Sequence, residues 1–509
     1  MWLRVVLFVC VFGTPRLPAA DPLPAPLDPR GLPGPLVIAG DAKTPPTDVR
    51  DAFFGLAGKD KAKIVVVSSD KKRGGGVLDV WQELKPLSAD LLETADRKTA
   101  DDPAFVKPLT EATAVWLADG DAERFGKVYA GTAVEKELKK LHARGRVVGA
   151  AAPLSAWLGD RAGLALLPGF AIGTQKQTDA VLKNHPACVG LSFGSDAAVV
   201  IRGRVARVIG DSPVTVHVGK GAGKAAADDE YKAGALLDLV QLQRAALNRA
   251  AQTPFPAAKP PAAVVSKGAL VIVGGGGAGP EIWKKFIDLA GGPDSTIVVV
   301  TTAMEDPLAP ESVEEKTLKK FGAKNVVALH TRDRAEANAP KFSEVLTKAK
   351  GVWFSGGRQW RFVDAYEGTL TEKRFREVLA RGGVIGGSSA GASIQSEYMP
   401  RGHPLGNTVV AAEGYERGFG FLPGCAVDQH FFARKRTADM TGLMKEYPQY
   451  LGIGLDEGTA IVVTGSTAEV IGKSKVAFYD TKKKPDGDKD YEEVFPNEKY
   501  DLKERRKLK

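Results

Sequence analysis

The sequence predicts an α/β protein made of two similar doubly wound parallel-sheet domains, and three observations predict it. Short β-branched runs bounded by glycine, among them Leu36–Gly40, Ile64–Ser68, Leu270–Gly274 and Ile297–Thr301, alternate with amphipathic stretches such as Pro280–Ala290 and Thr371–Arg381. That alternation reads as strand, crossover helix, parallel strand. The halves also match one another: Leu36-Val-Ile-Ala-Gly40 answers Leu270-Val-Ile-Val-Gly274, and Val115–Gly149 aligns without gaps to Val352–Gly386 with roughly 15 identities in 35 positions. Finally, a proline-rich stretch, Thr253–Pro261, divides the chain between the two copies.

From the N-terminus, Arg4 precedes an apolar run, Val5–Phe12, followed by Pro15, Pro18, Ala19 and Ala20. A basic start, a short apolar core and small residues predict a signal peptide over 1–20, hence an exported protein, periplasmic or extracellular. The run is too short to span a bilayer, and no other run reaches that length. A proline-rich linker is expected over 21–35, a first domain over 36–250, a linker over 251–267, a second domain over 268–480 and a charged tail over 481–509. The 509 residues are 44% hydrophobic and 26% charged, enough to build packed cores in both halves. Three cysteines, Cys10, Cys188 and Cys425, build no disulfide framework and no Cys-x-x-Cys metal site. The net charge of +9, from 70 basic and 61 acidic residues, is small for this length. The basic end, from Lys503 to Lys509, reads as a solvated tail, so no nucleic-acid partner is expected.

Gly274-x-Gly276-x-x-Gly279 matches the dinucleotide fingerprint as a string, yet five of its six positions are glycine and the next strand ends in Thr301-Thr302-Ala303 without a ribose-binding carboxylate. It reads as a close strand-to-helix turn, and no cofactor or metal is called for. Gly387-x-Ser389-x-Gly391 is more informative. It follows an apolar strand and precedes a helical start, the setting of a nucleophile elbow. A serine nucleophile needs a base and a group to orient that base. His430, in Asp428-Gln429-His430-Phe431 at a strand end, is the candidate base, whereas His330 and His403 read as structural. Glu457, after Gly452–Asp456, is the candidate third member, with Asp456, Glu413 and Glu416 as alternatives. The order Ser, His, acid differs from that of α/β-hydrolases.

The repeat supplies a comparison within the chain. By the half-to-half alignment Ser389 meets Ala152, His430 meets Gln175 and Glu457 meets Phe193, so all three functional groups are missing from the first half, which reads as a noncatalytic copy. The turn Phe354-Ser355-Gly356-Gly357-Arg358-Gln359 offers the Gly357 N–H, with that of Ala390, as oxyanion donors. Arg434, Lys435 and Arg436 form a basic cluster that is either a solvated helix face or a carboxylate-binding patch.

At these residues the sequence resembles the cyanophycinases, a group of serine peptidases related to α-aspartyl dipeptidase. Four motifs carry the resemblance: Phe354-Ser-Gly-Gly-Arg-Gln359, Gly387-Ser-Ser-Ala-Gly391, Asp428-Gln-His-Phe431 and Gly454-Leu-Asp-Glu457. It implies a flavodoxin-like fold of the class I glutamine amidotransferase type, with Ser389 as nucleophile, His430 as general base and then acid, and Glu457 as its orienter. It also implies substrate contacts from Gln359, Asp428, Gln429, Arg434 and Arg436, and hydrolysis of β-aspartyl-arginine units of the polymer cyanophycin. Where that family carries another basic residue, this chain has Asp439, so other Asp-containing or isoaspartyl peptides are an alternative substrate and a noncatalytic binding protein is an alternative role. Packing of the two halves as an intramolecular pseudo-dimer is expected.

Overall fold

The computed structural model describes residues 23–40, 45–160, 163–221, 223–251, 254–483 and 489–509. The expected signal peptide lies outside these residues. In the C-terminal half nine strands form one sheet in the order Asn325–Leu329, Thr296–Val300, Gly351–Phe354, Val384–Ser388, Val265–Val273, Thr459–Gly465, Thr467–Gly472, Lys499–Asp501 and Arg506–Leu508. The first five run parallel and the rest antiparallel. The strands of this parallel core are β-branched because both faces are covered; Leu270–Val273 and Ile297–Val300 are wholly buried. The expected helices are Pro280–Leu289 and Leu370–Ala380. A second, five-stranded sheet runs Ser396–Tyr398, Leu422–Asp428, Leu451–Leu455, Val476–Tyr479, Glu492–Val494.

The N-terminal half has the same order. Its eight-stranded sheet runs Ser88–Glu93, Lys63–Ser68, Ala114–Leu117, Val147–Ala151, Leu36–Ala39, Ala198–Arg202, Val205–Ile209, Leu236–Asp238, and its four-stranded sheet runs Phe170–Gly173, Val189–Phe193, Val214–Val218, Ala227–Tyr231. The shared tryptophans explain part of the shared sequence. Trp116 and Trp353 lie against the glycine of the neighbouring strand: a methyl group on Gly149 would stand 2.4 Å from the Trp116 ring, and one on Gly386 2.7 Å from that of Trp353. Only glycine leaves room for the indole, which buries a large apolar area.

Two expectations need correction. The described part of the charged tail foreseen over 481–509 contributes strands to both C-terminal sheets, because Val494, Tyr500 and Leu502 are buried between outward-facing charges and Tyr500 stacks on Phe478 at 3.9 Å between ring centres. The described part of the first proline-rich segment has no helix or strand, but it is not a free spacer: Leu27 and Leu32 are buried, and the Leu27 N–H donates to Gln243 Oε1 at 2.6 Å. Between the halves, regular structure stops at Ala250 and resumes at Val265.

Candidate active site

Strand Val384–Ser388 ends at Ser389, which caps the short helix Ala390–Ser393 with φ 57° and ψ −111°. A non-glycine residue there is strained. The strain is held by close backbone contacts on both sides: a methyl group on Gly387 would lie 2.4 Å from the Gly391 carbonyl oxygen, and one on Gly391 2.0 Å from that of Phe354. The Ser389 N–H donates to the Val273 carbonyl at 3.1 Å, which ties the turn to the neighbouring strand.

Ser389 Oγ lies 2.9 Å from His430 Nε2, and His430 Nδ1 lies 2.6 Å from Glu457 Oε1. The three come from the carboxyl ends of three strands, Val384–Ser388, Leu422–Asp428 and Leu451–Leu455, where an open parallel sheet places its sites. His430 also has positive φ, 52°, and its N–H donates to the Gly274 carbonyl at 2.6 Å. Burial lowers the His430 pKa first of all; the Arg434 charge pushes the same way, and the Glu457 hydrogen bond opposes both. The imidazole is therefore neutral at pH 7 and can accept a proton, while the carboxylate orders it with Nδ1 protonated.

The glycine run between strand Val265–Val273 and helix Pro280–Leu289 is the turn expected, and its chemistry is steric. Gly275 and Gly276 have φ of 102° and 67°; a methyl group on the first would lie 2.3 Å from the His430 ring, and one on the second 2.5 Å from the Glu457 Cβ. The string match to a phosphate motif hid this role, which depends on residues more than 150 positions away. The Gly356 Cα hydrogen faces Ser389, with a built methyl 3.7 Å from the serine Cβ, and Gly357 turns at φ 133° against the Ala303 carbonyl. Among the described residues no backbone carbonyl accepts from the N–H of Gly357 or Ala390, so both remain candidates for an oxyanion.

Of the five expected substrate contacts, Arg434 alone is exposed. The others are buried and bonded to protein groups, with Asp428 and Gln429 directly before His430 in the chain. Asp428 accepts from Arg401 Nε at 3.1 and 3.0 Å and from Arg436 Nη1 at 2.9 Å; Arg436 also donates to the Gln429 carbonyl at 2.6 Å and to its side-chain Oε1 at 3.1 Å. Gln359 Nε2 donates to the carbonyls of Pro400 and Arg401 at 3.0 and 2.8 Å. Asp428, Gln429 and Arg436 are thus one another's partners, because a buried charge must be paired, and Gln359 is held by backbone carbonyls. Arg401, which the sequence reading missed, is central: it is buried, has φ 61°, and its Nη2 donates to Asp439 at 2.7 Å. It lies in an irregular Pro/Gly-rich loop with no periodic signal to single it out.

The alternatives to Glu457 are engaged elsewhere. Asp456 accepts from the Ala433 N–H at 3.0 Å and the Ser474 hydroxyl at 2.8 Å, while Glu413 and Glu416 pair with Arg249 and Lys224 of the N-terminal half. His403 accepts from the Leu405 N–H, and His330 contacts Thr301. Among the described residues no group of three or more His, Cys, Asp or Glu gathers as a metal site, and no helix is long and apolar enough to cross a membrane.

In the N-terminal half, the Ala152 N–H bonds the Ala39 carbonyl at 3.2 Å just as Ser389 bonds Val273, so Ala152 occupies the nucleophile position. Strand register equates His430 with Gln175 and corrects the third pairing: Leu451 corresponds to Val189, which places Ser195 rather than Phe193 opposite Glu457. Asp119, opposite Gly356, is buried and accepts from the Ser69 hydroxyl and from Arg124 Nη2 at 2.6 Å, filling with an ion pair the place where the C-terminal half has a bare turn. This half also has a hydrogen-bonded Ser192–His217–Asp228 row, at 2.7 and 2.9 Å. Ser192 lies within a regular strand rather than on an elbow, and it and His217 are buried, so the row is a cross-strand ladder that satisfies a buried imidazole.

Comparison with known proteins agrees with the motifs. The sequence model of peptidase family S51 matches residues 270–471. The cyanophycinase of Geminocystis herdmanii (strain PCC 6308) is 32% identical over 205 residues, 40% of this chain and 75% of its own length. That of Thermosynechococcus vestitus is 30% identical over 230 residues, 42% and 68% of the two chains. A solved peptidase from an acI-B1 actinobacterium is 24% identical, covering 46% of this chain and 97% of its own with a TM-score of 0.36.

Proposed function

The chain belongs to peptidase family S51 and is a serine-type peptidase related to the cyanophycinases, and from that premise we propose that it is exported and cuts aspartyl peptide links, above all those that join β-Asp-Arg units, through a Ser389–His430–Glu457 triad. The observation that carries the reading is the hydrogen-bonded row Ser389, His430, Glu457, brought together from strand ends of the two C-terminal sheets. His430 Nε2 takes the Ser389 proton as Oγ attacks the scissile carbonyl carbon, and the N–H groups of Gly357 and Ala390 hold the oxyanion. His430, now cationic beside Glu457, returns that proton to the leaving amine, and water then hydrolyses the acyl-enzyme by the same route. Arg434, exposed four residues past His430, receives the free carboxylate of an aspartyl substrate. The N-terminal half is a noncatalytic duplicate; the common strand order and the loss of all three groups support this reading.

A second substrate reading, small isoaspartyl peptides, is favoured by one observation: Asp439 places a carboxylate on Arg401, the partner of Asp428. The test is release of β-Asp-Arg dipeptide from cyanophycin by the mature chain and by Ser389→Ala, beside a panel of isoaspartyl dipeptides. Polymer cleavage by the wild type alone supports the first reading. Cleavage of the small peptides alone supports the second, cleavage indifferent to Ser389→Ala removes Ser389 as nucleophile, and no cleavage of any substrate leaves a binding protein. Cell fractionation followed by N-terminal sequencing tests export; a chain confined to the cytoplasm with Met1 retained refutes it.

A further inference from the structure

The N-terminal half has Ala152 where the C-terminal half has Ser389, yet it grips the two segments that flank Ser389. Arg204, partly buried in the seam between the halves, donates from Nη1 to Asp364 Oδ2 at 2.6 Å and from Nη2 to the Tyr415 hydroxyl at 2.8 Å, and is itself held by Asp238 at 2.6 and 2.8 Å. Its guanidinium stacks over the Trp360 ring at 4.6 Å. Tyr415 in turn donates to Asp364 Oδ1 at 2.6 Å. Helix Trp360–Tyr366, which carries Asp364, follows directly on the Gly356–Gly357 turn beside the nucleophile. Tyr415 belongs to the irregular 399–421 connection, whose near end carries Arg401, the partner of Asp428 and Asp439. Three more cations of the same half hold that connection or its neighbour: Arg244 bonds the Gly414 carbonyl at 2.8 Å and Glu367 at 2.6 Å, Arg249 bonds Glu413 at 2.6 Å, and Lys224 bonds Glu416 at 3.2 Å.

An irregular connection of some twenty residues has little secondary structure of its own to fix it. Here its outer end is anchored by charge-assisted bonds from another domain, and its inner end, through Arg401, holds Asp428 two residues before His430. We propose that the N-terminal half is a positioning domain: through the Arg204–Tyr415–Asp364 knot it sets the place of Arg401 and Asp428, the substrate wall of the site, without touching the reacting atoms. This rests on the peptidase reading for its effect on turnover, but not for its effect on the connection itself.

The test uses the full chain and the variants Tyr415→Phe, which removes one hydroxyl from the knot, and Arg204→Lys, which keeps the charge. Folding is checked by thermal unfolding, active sites are counted with a serine-directed fluorophosphonate, kinetics are read as release of β-Asp-Arg dipeptide from soluble cyanophycin, and hydrogen exchange is measured across 399–412. For a folded Tyr415→Phe the expected result is faster exchange in 399–412, full labelling, and a KM raised about ten-fold with kcat little changed, the order expected for loss of one hydrogen bond to a charged group. Arg204→Lys should lie between this variant and the wild type. Unchanged exchange in folded Tyr415→Phe overturns the proposal, as does a KM equal to that of the wild type. A wild type that neither labels nor cleaves removes the peptidase reading, and the exchange rates still decide whether the knot holds the wall.

Discussion

Gly275 lies under His430 so closely that an added methyl carbon would stand 2.3 Å from the imidazole, at a backbone φ of 102°. The base of the site is thus seated on bare backbone. Gly275→Ala should push the ring off the serine; a displacement of the order of 1 Å costs about a hundred-fold in turnover. Measured kcat/KM should fall by that order while thermal unfolding remains cooperative, and a fully active Gly275→Ala would show that the ring does not depend on this seat.

The triad makes graded predictions. Ser389→Ala should lose up to about a million-fold in kcat, and Glu457→Gln, which leaves the imidazole without its anionic partner, about ten-thousand-fold. Equal kinetics for wild type and Glu457→Gln would remove Glu457 from the mechanism.

The pH profile tests the electrostatics. Burial and the Arg434 charge hold the His430 pKa below its ordinary 6.5, and the neutral ring is the active form. Activity should therefore persist below pH 6.5 and fall only as the pH drops through the lowered folded value. Arg434→Gln removes one cause of the depression, so the acid limb of kcat/KM should move to higher pH; a limb that stays put or moves down contradicts the assignment. The same depression means that the unfolded chain binds this proton more readily, so the stability present above pH 6.5 is lost as pH falls towards the folded pKa.

Asp428 is buried between Arg401 and Arg436. Asp428→Asn removes the carboxylate and leaves two buried guanidinium groups facing each other, which should cost about 3–5 kcal/mol in denaturant unfolding. A loss below about 1 kcal/mol, the level of a surface pair, would mean that water reaches the cluster.

His217 makes the opposite prediction. His217→Gln breaks the buried Ser192–His217–Asp228 row and should lower stability by about 1–3 kcal/mol, the cost of unsatisfied buried groups. Turnover at Ser389 should not change; a matching loss of activity would give the row a catalytic part.

Much of this protein is legible in one dimension. The alternation of β-branched runs with amphipathic segments, the glycine-bounded Ser389, and the strand-end positions of His430 and Glu457 are local patterns, and local backbone preference with burial is enough to read them. The likeness of the two halves could be read because both keep one packing contact, Trp116 on Gly149 and Trp353 on Gly386. What only the tertiary structure decided is which groups meet. Asp428 and Arg436 have the residue types of a substrate site, but desolvation makes them partners of each other, and Asp428 also the partner of Arg401, a residue in a loop without pattern. Val494, Tyr500 and Leu502 lie in a segment whose charge suggested solvent, and its strands form because the sheet edges beside them leave backbone groups to pair. The turn beneath His430 and the arginine knot between the halves join residues far apart in the chain, and such contacts depend on distance in space, which sequence spacing does not encode.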